Sequence, residues 1–279
     1  MSNASSKKTG LKSVAVADSS ESDVLDVRPA TEVSKQPWGV LVAIIILILC
    51  LIIMPIIVQM VVGLIPSVFG WNGAQTDQWS SSSAYTFLYV LFAEASAVSL
   101  IVWFTRRKKM PFTKAVGLRK PRWSDLSMAL MGTLAYAVLF VVAITVVSNI
   151  VSINTTDQQN LGFSHSVTGV GLVMAFVSLV ILPPLAEEIM FRGFFYGTLR
   201  RRKIAAGWSI FITSIIFGSL HLFGGNPGTL LWIAFLDTFI LSLVLCTVRE
   251  KTGSIWAGIG IHALKNGFVF INLFIIGSM

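Results

Sequence analysis

The chain has 279 residues, of which 54% are hydrophobic and only 12% charged, and a formal net charge of +8. A soluble globular domain carries roughly 25% charged residues, so the composition excludes an ordinary water-soluble fold and points to lipid as the solvent. A nucleic-acid role is excluded as well, because Lys and Arg sit in short clusters between apolar runs rather than along one aromatic-laced face.

Residues 1–37 are rich in Ser, Lys and Asp and hold too few apolar residues to offset the entropy of ordering, which predicts a disordered cytoplasmic tail. The first apolar run starts near Trp38 and passes Val62, too far along for a secretory signal peptide, and is read as a retained helix. Six further segments follow at about 83–104, 126–150, 168–199, 206–222, 230–248 and 255–276, most near the ~20 residues a spanning helix needs. The expected fold is all-α: a polytopic transmembrane helix bundle of about seven spans, one domain over 38–279. The fourth segment is longer than a span, and Pro183 and Pro184 interrupt it, which predicts a kink opening a polar cavity. The fifth is short enough to be partly buried in protein.

Arg106 to Lys109, Lys114, Arg119, Lys120 and Arg122 fill one loop, Arg200 to Lys203 a second, and Arg249 with Lys251 a third, whereas the alternate loops near 70–82, 151–167 and 223–229 hold no Lys or Arg. The positive-inside rule then puts the N-terminus in the cytoplasm and the C-terminus outside. All eight tryptophans fall at or near segment ends, where an indole prefers the membrane interface. Cys50 and Cys246 both lie in apolar runs and indicate neither a disulfide nor a paired metal motif.

An ionisable group at the bilayer centre costs at least about 2.5 kcal/mol on insertion scales, so each one inside a span needs a partner or a task. They are Glu94, Glu187, Glu188, Arg192, His221, Asp237, His262 and Lys265. Glu188 and Arg192, four apart, stack on one helical face and can pair, while Glu187 points about 100° away and is left free to act on a proton. Phe217 with His221, and His262 with Asn266, each share a face at the same spacing. Lys265 can neutralise Asp237 across two helices as a structural pair.

If three helices converge these residues, they make a hydrolytic centre. A carboxylate in an apolar setting can take a proton from water, and a neutral His can hold that water. His262 and the Asn266 amide can donate to the oxyanion formed when water attacks a peptide carbonyl. Glu187, His221 and His262 could instead bind zinc, but no His-Glu-x-x-His sequence is present and the ligands are scattered.

Glu187-Glu188-x-x-x-Arg192, Phe217-x-x-x-His221 and His262-x-x-x-Asn266, in this order on successive apolar segments, resemble the CPBP family, the CAAX-protease and bacteriocin-processing intramembrane proteases also called the Abi family. The resemblance spans about 181–266 and implies a catalytic core at 168–276. It implies that Glu187 and His221 activate the attacking water and that His262 and Asn266 form the oxyanion site. Glu188 and Arg192 then match supporting positions, with Phe217 beside them. It leaves the cofactor open between none and a divalent metal such as zinc. The implied partners are the lipid bilayer and a peptide or membrane-protein substrate, of CAAX type or of bacteriocin or signal-peptide type. The implied location is the plasma membrane of a prokaryote.

Two non-enzymatic readings compete. A membrane scaffold or bacteriocin self-immunity protein would keep the same polar cluster for folding or for binding a peptide. A transporter would line a proton relay with Glu94, Glu187 and His262, although no matched pair of interrupted segments marks the two halves.

Overall fold

A computed structural model describes residues 37–151, 159–223 and 229–277. The tail expected at 1–37 falls, apart from its last residue, outside the described residues.

The described chain is helical, with no strand. The helices are α1 (Val40–Val68), α2 (Gly73–Ser80), α3 (Ser83–Arg107), α4 (Phe112–Val116), α5 (Trp123–Ile150), α6 (Gly169–Arg201), α7 (Ala206–Leu220), α8 (Trp232–Thr252) and α9 (Trp256–Ile276). Among the described residues, α1, α3, α5, α6, α8 and α9 are long and apolar enough to cross a membrane, and α7 is a shorter apolar helix. The approximate count of seven therefore resolves into six long spans and one short helix. Large apolar side chains remain exposed along α1 and α5, from Leu41 and Val61 to Leu130, Met131, Leu134 and Val141. Such belts suit contact with acyl chains rather than water.

Helix α6 is the hub: it touches α1, α3, α4, α7, α8 and α9. Its segment from Ala186 to Leu199 is almost wholly buried against Trp38, Ile46, Ile101, Phe104, Val116 and Phe217. At the place where a kink is expected, the turns of this helix are widened. Val177–Ile181 and Glu188–Phe195 are π-helical, and a similar turn, Leu49–Ile53, precedes Pro55 in α1. A proline supplies no N–H, so the ladder slips to the next register in the turns before Pro55 and Pro183, whereas Glu188–Phe195 follows the prolines and is not explained by them.

The three basic loops meet at one end of the bundle, as the charge pattern implies. Trp256 Nε1 donates to Arg119 O at 2.6 Å, Arg119 pairs with Asp125 at 2.6 Å, and Arg200 pairs with Glu250 at 2.6 Å. Two side chains there depart from their expected settings. Arg249 belongs to the last turn of α8, is buried, and donates from Nε to Arg192 O at 3.2 Å. Gly117, at φ +73°, admits it: a β-carbon there would lie 2.2 Å from Arg249 Nη2. Trp38 is likewise buried rather than interfacial, packed between Phe104 and Phe194, with Nε1 donating to Thr198 Oγ1 at 2.9 Å. An indole whose N–H finds a partner inside protein has no need of the headgroup layer. Trp103, Trp123, Trp208 and Trp232 are exposed near helix ends, as expected of interfacial residues.

Candidate active site

Helices α6, α7 and α9 bring the predicted residues together. Glu188 and Arg192 pair at 2.8 Å with both side chains fully sealed from solvent. The Arg192 guanidinium also lies over the Phe217 ring, 4.3 Å from its centroid, in a cation–π contact. Phe217 is fully buried and meets the rings of Phe191, His221 and His262. The buried pair is thus enclosed by aromatic faces, with little of it open to reaction.

Glu187 has a different setting although it is the adjacent residue. Its side chain keeps 20% of its exposure, and Oε2 faces His262 Nε2 at 3.8 Å. That oxygen has no hydrogen-bond partner among the described residues. A gap of 3.8 Å is too long for a direct hydrogen bond, and Oε2 is itself closed to solvent, so the exposed part of the Glu187 side chain lies away from His262. His262 turns its other nitrogen, Nδ1, towards Glu188 Oε1 at 3.5 Å, so Nε2 is the atom presented to Glu187.

His221 lies just beyond the end of α7, not inside the segment where the sequence placed it. The helix stops at Leu220, and the His221 ring turns back so that Nδ1 meets Phe217 O at 3.0 Å. The carbonyl can only accept, so Nδ1 carries the proton in this contact, and the neutral ring then has its lone pair at Nε2. The side chain satisfies a last-turn carbonyl of the helix while leaving an acceptor free. His221 is within electrostatic range of Glu187, His262 and Lys265, and Glu94 on α3 is within range of Glu187.

Asn266 shares a face of α9 with His262, as its spacing predicts, but one of its amide hydrogens is engaged: Nδ2 donates to Leu179 O on α6 at 2.9 Å. The expected pair of Lys265 and Asp237 is present at 2.7 Å, and the Tyr136 hydroxyl donates to the second Asp237 oxygen. Sequence reasoning missed Gly258. A β-carbon there would lie 2.6 Å from Glu188 Oε2, so only glycine lets α9 approach the sealed pair. It sits one helical turn before His262, a small-residue position that signals close approach only once the neighbouring helix is known.

Among the described residues no group of three or more His, Cys, Asp or Glu side chains is gathered to hold a metal ion. The Nδ1 atoms of both histidines are turned to Phe217 O and Glu188, and Glu188 is engaged with Arg192, which leaves the two Nε2 atoms and Glu187 as the donors a metal would have to use.

Residues 169–268 match the Rce1-like family, described as type II CAAX prenyl endopeptidase Rce1-like. The matched stretch is just over a third of the chain and contains Glu187, Glu188, Arg192, Phe217, His221, His262 and Asn266. It agrees with the CAAX-protease resemblance carried by the three motifs. No curated protein and no solved structure gives a significant match. The Rce1-like match indicates a membrane-embedded protease, and hence a hydrolase whose surroundings are a bilayer and whose substrate is a peptide or protein. Helices α1 to α5 lie outside the Rce1-like segment.

Proposed function

We propose that the chain is an intramembrane endopeptidase that cleaves a membrane-associated protein or peptide of the CAAX type, using water activated by Glu187 and His221 without a bound metal. The observation that carries this reading is the division of roles between adjacent carboxylates. Glu188 is fully sealed and paired with Arg192 at 2.8 Å, whereas Glu187 keeps 20% of its exposure and turns Oε2 to His262 Nε2 at 3.8 Å.

In this reading water sits between Glu187 and His221. Its oxygen attacks the scissile carbonyl carbon while Glu187 takes one proton and His221 Nε2 accepts a hydrogen bond from the other. His262 Nε2–H and the second Asn266 N–H donate to the oxyanion. The carbon–nitrogen bond then breaks, the proton held by Glu187 passes to the leaving amine, and the carboxylate is restored. The basic end of the bundle supports a cytoplasmic N-terminus, and the prokaryotic plasma membrane is carried over from the CPBP resemblance alone.

The test is a comparison of membrane-associated peptides in cells carrying the wild type and Glu187→Ala. A precursor that accumulates only in the variant supports proteolysis and nominates the substrate, whether a CAAX protein, a bacteriocin precursor or a signal peptide. Identical profiles would count against it.

A further inference from the structure

Leu179 lies in the π-helical turn of α6, four residues before Pro183 and five before Pro184. A carbonyl inside a helix is reached by the N–H three, four or five residues ahead, according to whether the turn is 3₁₀, α or π. For Leu179 those residues are Leu182, Pro183 and Pro184. The prolines have no N–H, and the N–H of Leu182 is donated to Val177 O. Leu179 O is therefore left without a donor from its own helix. At membrane depth no water is at hand for an unmet carbonyl, so a partner must come from elsewhere in the protein. The Asn266 amide supplies it from α9, at 2.9 Å.

We propose that Pro183, Pro184 and Asn266 form one device, in which the two prolines create an acceptor and Asn266 is the positioning residue that fills it. The carbonyl accepts and cannot donate, so the amide must present nitrogen, not oxygen, to α6. This fixes the amide flip and the direction of its second N–H. The same bond ties α9, one turn after His262, to the helix that carries Glu187, and so holds the spacing between the two. The tie stands on geometry alone; the use of the second N–H rests on the endopeptidase reading.

A double-mutant cycle on the full chain, purified in detergent, tests the tie. Asn266→Leu keeps the shape and removes the donor, and Asn266→Ala serves as the second variant. Pro183→Ala restores an N–H four residues ahead of Leu179. Each Asn266 substitution is expected to lower the melting temperature by several degrees with Pro183 present, and by much less with Pro183→Ala, where the new N–H can take over Leu179 O. A variant that accumulates only in the Pro183→Ala background is the same result at its limit. Equal losses in both backgrounds, including failure to accumulate in both, would overturn the proposal. For the orientation half, Pro183→Ala with Asn266 intact is expected to lower kcat while KM stays within about twofold of wild type. An unchanged kcat alongside a positive stability cycle would discard orientation and keep the tie.

Discussion

Lys265 Nζ lies 2.7 Å from Asp237 Oδ2, joining α9 to α8 inside the apolar layer, and Tyr136 from α5 donates to the same carboxylate. Three helices thus meet at one charge pair just behind the candidate active site. Replacing Lys265 with Met or Asp237 with Asn leaves one charge uncompensated and is expected to cost about 1–3 kcal/mol, since both side chains keep some exposure. The double substitution should cost less than the sum of the singles. Unfolding in detergent checks this; strict additivity would show that the pair does not couple the helices.

The sealed pair makes a larger demand. Glu188→Gln or Arg192→Met each strands a fully buried charge, for an expected loss of about 3–5 kcal/mol, with the double variant recovering much of it. Protein yield and melting temperature are the measurements. A mild effect of either single substitution would contradict the structural role given to Glu188.

Much of this was legible in the sequence because charge inside an apolar run is costly. Glu188 and Arg192 are four apart, so helical geometry alone pairs them; Asp237 and Lys265 are lone opposite charges in neighbouring spans. What stayed hidden depends on partners far along the chain. Trp38 is drawn inward by Thr198, Arg249 is buried because Gly117 leaves it room, and Asn266 is engaged because two prolines orphan Leu179 O. His221 lies one residue past the end of α7 rather than inside it, since an apolar run does not reveal that its side chain caps the carbonyl of Phe217.

Gly258 offers a test of the close approach between α9 and α6. Gly258→Ala puts a β-carbon 2.6 Å from Glu188 Oε2, and neither the sealed carboxylate nor its Arg192 partner has space to withdraw. The expected cost is about 1–3 kcal/mol, with loss of peptide cleavage as His262 is displaced. Wild-type melting temperature and rate in this variant would show that the helices can separate freely.

His221→Asn separates capping from chemistry. The Asn amide can still donate to Phe217 O but has no acceptor where the imidazole Nε2 lies. Stability is expected to stay within about 1 kcal/mol of wild type while the cleavage rate falls about 10²–10⁴-fold. A loss of stability with the rate retained would make His221 a cap alone.

The most direct measurement is the cleavage rate of a membrane-associated peptide by the purified chain in liposomes, for the wild type and Glu187→Gln, with melting temperatures taken on the same samples. Glu187 keeps an exposed edge and an unpartnered oxygen, so the amide should be accommodated with little change in melting temperature. The account predicts an intact fold with cleavage reduced at least about 10²-fold. A rate equal to wild type, with the protein folded, would contradict it.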